Sequence, residues 1–379
     1  MSRNIISSIK EIFKLLEVYI EEDEKHRIID TKRIIDKPDK FSEENIAFFK
    51  KSKITSVIQL NPNKSLVGIE YNSRQFILIP EEGEFLDGYP PGIIRKTLSE
   101  DEEICEGIRI LLYSENLVSI NNRINDLSLN LIEKIFALDP IEDLVNYKLS
   151  QIDEFFIPFE IWEVETSIFD INNSSDLYKI YSIYLLQSIE DERLMLDFTD
   201  VTKSELESLL LDPNSIYISE VIYKAITANH WEHCFLEMYK CIENLYMVYH
   251  IDLLSNQLTD NDLSIAIGLD AIGFRSTEKN DVKKLFEKLF LSIEKLSELK
   301  KLLDKKNIIG SEIAVNDEKM KEKMAEKLYL IRCSIAHLKY KHNHPNYTVE
   351  EWNQILTTMS IVVKELYNIY GNRLSNLIS

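Results

Sequence analysis

The chain has 379 residues, of which 45% are hydrophobic and 28% are charged, and its formal net charge is −20 at pH 7. This length suits two domains better than one, and the apolar content, without a long run of one charge, excludes a disordered chain. No stretch approaches the roughly 18 consecutive apolar residues that a membrane span needs. The opening residues lack the uninterrupted apolar core of a secretory signal peptide. We therefore expect a soluble globular protein.

The cysteines indicate the compartment. Four cysteines lie inside apolar or helical patterns without paired turn spacing, namely Cys105, Cys234, Cys241 and Cys333. Isolated thiols of this kind suit a reducing environment better than a disulfide framework does. We therefore expect a cytoplasmic protein.

The first 200 residues predict a small α+β domain. Apolar residues recur near the helical period over residues 4–36, which predicts one or two helices. Three β-rich segments separated by turn signals follow at Thr55–Leu60, Ser65–Tyr71 and Gln75–Ile79. Residues 155–171 alternate well enough to add one or two strands. The prediction is a sheet of roughly three to five strands, accompanied by helices.

From Thr202 onward the pattern is one helix after another. The helical periods cover about 216–228, 230–251, 278–304, 318–339 and 349–371. The segments Thr202–Glu205 and Thr348–Glu351 have the form of a capping box, in which two side chains satisfy backbone donors at a helix start. Long helices with short connections predict an all-α bundle over residues 201–379.

Charge is divided unevenly along the chain. Residues 201–379 hold 22 basic and 25 acidic residues, a balance of −3, whereas the first 200 hold 22 and 39, a balance of −17. This asymmetry predicts a division of labour in which the acidic half repels RNA. Twelve lysines of the second half form either a solvated helix face interleaved with glutamate, the favoured interpretation, or an electrostatic guide for a polyanion. They are Lys279, Lys283, Lys284, Lys288, Lys300, Lys301, Lys305, Lys306, Lys319, Lys321, Lys323 and Lys327.

One pair of residues in the second half predicts chemistry. In YLIRCSIAHLKY, four residues separate Arg332 from His337 near the end of a predicted helix. Histidine can accept or donate a proton near neutral pH, and arginine offers charged donors to a phosphate whose charge builds in the transition state. The pair therefore suits RNA cleavage without a metal. Five residues at about 100° each separate the two side chains by roughly 140° on an ideal helix, so a bend or a second subunit must bring them together.

This Arg-x4-His pattern in an all-helical half resembles the HEPN superfamily, helical-bundle domains of prokaryotic defence and toxin systems. The likeness covers roughly residues 202–379, and the helix NHWEHCFLEMYKCIENLY is similar to the first long HEPN helix, where an acidic residue, here Glu237 or Glu243, often lies on the buried side. The resemblance implies a homodimer with two Arg–His pairs in a shared cleft. It also implies products that end in a 2′,3′-cyclic phosphate and a 5′-hydroxyl. The chain departs from the family at Cys333, where many members have a polar residue.

The predicted fold is therefore α+β, with a small α+β domain over residues 1–200 and an all-α, HEPN-like bundle over residues 201–379. The predicted function is a metal-independent endoribonuclease of phage defence (abortive infection) or a toxin–antitoxin system, acting on tRNA or mRNA without a cofactor. Arg332 and His337 are its expected catalytic residues. Other residues expected to contact the substrate are Cys333, Ser334, Lys339 and Lys341. The acidic half is interpreted as a sensor whose partner is a phage-derived or antitoxin protein.

Two other interpretations remain. In the first, the bundle is a non-catalytic interaction or dimerisation module that binds a protein or nucleotide. Arg332 then pairs with a buried glutamate such as Glu237, and His337 hydrogen-bonds within the bundle. In the second, Cys333 and His337, neighbours on one helix face, and the following His342 and His344 form a zinc site. This interpretation is disfavoured because structural zinc sites usually supply their second close pair on a turn, and because Lys339 and Lys341 lie among these candidates.

Overall fold

The structure is a computed structural model. It describes residues 3–28, 41–80, 89–97, 104–136, 149–188, 194–246, 248–250, 277–289, 318–336 and 347–378. Two compact units make up the chain, Met1–Ile180 and Tyr181–Ser379. Within these described ranges the fold combines helices with one five-stranded antiparallel sheet, and it is therefore α+β, as predicted.

Helices account for most of the described residues. The α-helices are α1 (Ile5–Glu17), α2 (Glu43–Lys51), α3 (Cys105–Ser114), α4 (Leu127–Leu131), α5 (Ser174–Gln187), α6 (Asp200–Leu210), α7 (Ser219–Ile226), α8 (Trp231–Glu243), α9 (Glu278–Glu287), α10 (Glu318–Ala336) and α11 (Val349–Ile378). Short 3₁₀ segments lie at Lys25–Arg27, Leu149–Phe155 and Pro213–Ile218, and a π-helical turn lies at Ile132–Phe136. Among the described helices, none is both long and apolar enough to cross a membrane.

The sheet belongs to the first unit and has the strand order β1-β2-β3-β5-β4. Its strands are β1 (Lys53–Asn61), β2 (Lys64–Tyr71), β3 (Arg74–Ile79), β4 (Ile93–Lys96) and β5 (Glu160–Val164). Between β2 and β3, Asn72 and Ser73 both have positive φ, 49° and 64°, as a two-residue hairpin with the twist of its strands requires. The three predicted β-rich segments are confirmed, and β5 lies inside the predicted 155–171.

One face of the sheet packs into the core of the first unit. The buried residues of this core include Val67, Ile69, Phe76, Leu78 and Ile161 from the strands and residues of α1, α2 and α3. At its margin, Glu163 accepts two hydrogen bonds of 2.7 Å from Arg74 and one of 2.8 Å from Arg95. These hydrogen bonds lower the pKa of Glu163, with that from Arg74 as the largest cause. The carboxylate is therefore stably ionised inside the sheet.

The two predicted capping boxes have opposite outcomes. The one before α11 is confirmed, because Thr348 N donates to Glu351 Oε2 (2.9 Å) and Glu351 N donates to Thr348 Oγ1 (3.2 Å). The one at Thr202 is wrong, since α6 begins at Asp200 and Thr199 is its N-cap. Thr202 lies inside the first turn, where its hydroxyl is 3.0 Å from that of Thr357 on α11. The Thr202 side chain, which the sequence pattern predicts as a helix cap, therefore makes a tertiary contact instead.

The predicted helices of the second unit exist, with shifted boundaries. The predicted 216–228 consists of a 3₁₀ segment followed by α7, and α8 ends at Glu243 instead of continuing as one regular helix. In the opposite direction, α11 extends to Ile378. Residues 290–304 and 337–339 of two other predicted helices lie outside the described residues.

The confirmed capping box supports a test of stability. We expect Thr348→Ala to lower the free energy of unfolding by about 1 kcal/mol, because the Glu351 amide loses its acceptor. Urea denaturation followed by circular dichroism measures the change. Thr348→Ser keeps the hydroxyl and is the matched control. Equal stability of the alanine variant and the wild type would contradict a stabilising role for the box.

Candidate functional site

The candidate site is centred on Arg332, which lies near the C-terminal end of α10. This helix packs against both α8 and α9. Its buried face consists of Met320, Met324, Ala325, Leu328 and Ile331. The Arg332 side chain is 22% exposed, so it borders that face while still reaching solvent.

Two carboxylates hold the Arg332 guanidinium. Nε and Nη2 donate to Glu243 Oε1 at 3.3 and 3.2 Å, and Nε is 3.2 Å from Glu278 Oε1. Among the described residues, Arg332 Nη1 and Glu243 Oε2 have no hydrogen-bond partner. The ion pairs therefore fix the plane of the guanidinium and leave Nη1 and one carboxylate oxygen without a partner in the described part of the chain.

The positions of the two carboxylates on their helices explain why an arginine is needed. Glu278 is the first residue of α9, where the positive end of the helix dipole favours a carboxylate. Glu243 is the last residue of α8, where the negative end disfavours one. Arg332 compensates the charge of Glu243, which the α8 dipole disfavours, and also pairs with Glu278. It therefore links the ends of three helices.

The two carboxylates outweigh the single guanidinium. Burial is the largest single cause and lowers the pKa of Arg332. The negative charges of Glu278 and then Glu243 raise it by more in total, so the net direction is upward. Arg332 therefore stays charged at any physiological pH. Glu243 and Glu278 more than compensate the charge of Arg332, so the three side chains in the resting state carry no net positive charge with which to attract a phosphate.

Two tyrosines, Tyr239 buried and Tyr246 partly buried, lie beside the same cluster. The hydroxyls of Tyr239 on α8 and Tyr246 lie 3.2 Å apart. Burial is the largest cause that raises the pKa of each phenol, and the Glu278 and Glu243 charges raise both further. Both tyrosines are therefore protonated near neutral pH and can act there only as neutral hydrogen-bonding groups.

The structure corrects the predicted partner of Arg332. Glu237 forms its ion pair with Lys240, one turn further along α8, and not with Arg332. Glu243 lies nearly two turns after Glu237, so it projects in a different direction and reaches α10. An arginine–glutamate pair does exist, but with Glu243 and Glu278 as its acids.

Of the remaining predicted site residues, Cys333 and Ser334 lie on α10 within the described residues. Cys333 is partly exposed, and its interaction with Tyr329 is the largest cause that raises the pKa of that tyrosine. Ser334 Oγ donates to Ile331 O at 2.7 Å, so its hydroxyl is engaged within α10. The other three predicted residues, His337, Lys339 and Lys341, lie outside the described residues.

The predicted lysine face is partly described. Lys279 and Lys283 of α9 bind Glu326 and Glu322 of α10 at 2.6 and 2.7 Å. Hydrogen bonding to Lys279 is the largest cause that lowers the pKa of Glu326, to about 2. For these lysines the geometry favours the solvated face interleaved with glutamate over a guide for a polyanion. Several others of the predicted set, such as Lys300 and Lys305, lie outside the described residues.

Sequence analysis missed two acidic residues of this region. Glu278 holds Arg332, and Asp281, one turn later on α9, lies 3.0 Å through Oδ1 from Nε2 of the buried His250. Both follow Thr277, a residue type typical of helix N-caps. This signal predicts where the helix begins, but it does not predict which side chains Glu278 and Asp281 contact. No cluster of three or more potential metal ligands occurs among the described residues.

Comparison of the chain with protein-family models, with curated proteins and with solved structures finds no match. Function is therefore inferred from the side chains themselves.

The ion pairs of Arg332 make a prediction about stability. We expect Arg332→Ala to lower the free energy of unfolding by about 1–2 kcal/mol, because it leaves two neighbouring carboxylates without their cation; partial exposure limits the cost. Thermal or urea denaturation measures it. In a Glu243→Gln/Glu278→Gln background the same change should cost clearly less. An equal cost in both backgrounds would show that these carboxylates do not stabilise the arginine.

Proposed function

We propose that the chain is a metal-independent endoribonuclease in which Arg332 stabilises the phosphate and His337 transfers a proton. The products would carry a 2′,3′-cyclic phosphate and a 5′-hydroxyl, as in the HEPN ribonucleases that the sequence resembles. The resemblance extends the proposal to the architecture: an acidic regulatory domain over residues 1–200 and a HEPN-like domain over residues 201–379.

The observation that supports this most is the state of Arg332. An arginine with a purely structural role tends to use its donors in buried contacts, whereas Arg332 is held on one edge by Glu243 and Glu278 and keeps Nη1 unused among the described residues. A guanidinium fixed in this way is preorganised for a phosphate oxygen, because its orientation costs nothing when charge develops. His337 follows Ala336, the last residue of α10, in the sequence.

The biological setting belongs to the same proposal. A nuclease of phage defence or of a toxin–antitoxin system requires restraint, and the acidic first half would provide it by repelling or gating RNA. A homodimer would place two Arg–His pairs in one cleft. It would thereby overcome the separation of roughly 140° between the two positions on one helix.

The cleavage assay uses purified full-length protein with total tRNA and a structured RNA in excess EDTA. We expect the wild type to cleave and His337→Ala to be inactive. Arg332→Lys should lose most activity, because lysine keeps the charge but lacks the planar fork of donors. His233→Ala, a change at an exposed histidine of α8, is the matched control and should cleave like the wild type. Wild-type cleavage that stops in EDTA, or no wild-type cleavage, would overturn the proposal.

A second candidate is a non-catalytic interaction module, which the same ion pairs favour. Arg332 already joins α8, α9 and α10 through two carboxylates, and this is a sufficient structural role. In that case His337→Ala changes neither RNA integrity nor toxicity on overexpression, and the wild type is not toxic. In the nuclease case the wild type is toxic, and His337→Ala abolishes toxicity while the protein stays folded.

A further inference from the structure

We infer that Glu243 is the general base of the proposed cleavage, the group that takes the proton from the ribose 2′-hydroxyl. This inference rests on the proposed function and deepens it. Sequence analysis leaves open whether His337 is base or acid; with Glu243 as base, His337 acts as the acid.

The geometry of the Glu243 carboxylate carries the inference. Both hydrogen bonds from Arg332 end on Oε1, and Oε2 has no partner among the described residues. The side chain is 33% exposed, so solvent and substrate can reach it. Arg332 Nη1 also has no partner among the described residues, so an available proton acceptor and an available phosphate donor belong to one ion pair.

The reaction balances with these groups. Glu243 Oε2 removes the proton of the 2′-hydroxyl, and the 2′-oxygen forms a bond to phosphorus. The bond from phosphorus to the 5′-oxygen breaks, and the leaving oxygen takes a proton from the acid, His337 in the proposed function. The products are a 2′,3′-cyclic phosphate and a 5′-hydroxyl, and afterwards Glu243 returns its proton to water while His337 takes one from water.

Electrostatics gives this arrangement an advantage in the transition state. In the resting site Glu243 and Glu278 compensate the charge of Arg332, so the ground-state phosphate is bound weakly. When Glu243 accepts a proton its negative charge disappears, and the attraction of Arg332 is redirected to the phosphate at the moment when that phosphate gains charge. An interaction that strengthens only in the transition state increases the rate without tightening substrate binding.

Neighbouring groups are less suited to this role. Glu278 Oε1 is buried from solvent and faces Arg332, which makes Glu278 a positioning residue. Tyr239 and Tyr246 have a raised pKa, chiefly because of burial, and cannot accept a proton as phenols near neutral pH. Glu243 thus combines negative charge, exposure and an oxygen that has no partner among the described residues.

The test compares two RNA oligonucleotides of one sequence that the wild type cleaves, one normal and one with sulfur in place of the bridging 5′-oxygen at the cleaved bond. A thiolate leaves without a proton, so the sulfur substrate needs a base but no acid. We expect Glu243→Gln to cleave both substrates about 10²–10⁴ times more slowly than the wild type. His337→Ala should be slow on the normal substrate and recover on the sulfur substrate.

Two controls separate a chemical role from a structural one. Glu237→Gln makes the same change two turns earlier on α8, at a carboxylate paired with Lys240, and should leave both rates unchanged. The Glu243→Gln variant keeps an oxygen that can accept from Arg332, and we expect its thermal unfolding to stay close to that of the wild type.

The outcomes distinguish the two proposals. A Glu243→Gln variant that cleaves the normal substrate like the wild type, or that recovers on the sulfur substrate, overturns Glu243 as base and leaves the ribonuclease proposal standing. If the wild type cleaves neither substrate, the proposed function fails and this inference fails with it.

Discussion

One charged constraint links three helices of the second unit: a single guanidinium, Arg332, is shared by carboxylates from two helix ends. Glu243 ends α8 and Glu278 begins α9, while Arg332 comes from α10. Without the arginine, a carboxylate would remain at the unfavourable end of the α8 dipole beside a second carboxylate. Partly buried charges of one sign strongly disfavour close approach. Arg332 of α10 therefore supplies the cation that Glu243 at the end of α8 and Glu278 at the start of α9 share.

The same constraint limits and enables chemistry. Two carboxylates beside one guanidinium weaken the attraction for a phosphate in the ground state, so the net charge of these side chains does not favour phosphate binding. A site of this kind gains catalytic value only if one carboxylate changes its charge during the reaction. Proton transfer does this, because it converts a neutralising group into a neutral one at the moment when phosphate charge grows. The proposed activity thus follows from the imbalance of charge and does not require a strongly basic cleft.

Local features of this chain could be predicted from sequence, and long-range pairings could not. Helical periodicity and the hairpin at Asn72 and Ser73 depend on neighbouring residues, and so does the capping box at Thr348. The partner of Arg332 depends on how α8 meets α10, and Glu237 and Glu243 are both plausible in sequence while only the second faces the arginine. The failed box at Thr202 has the same origin. A local pattern offered a cap, but contacts with α11, 155 residues away, engage that hydroxyl.

The first turns of α9 connect packing to the candidate site. Glu278 and Asp281 are three residues apart and share one face of the helix, where they bind Arg332 and His250 respectively. Lys279 and Lys283 pair with carboxylates of α10. α9 is therefore held by ion pairs on both sides, and a displacement of α9 would alter the contact between Glu278 and Arg332 directly. The orientation of the guanidinium, and with it the direction of its unused Nη1, is thus set by the docking of a neighbouring helix as much as by α10 itself.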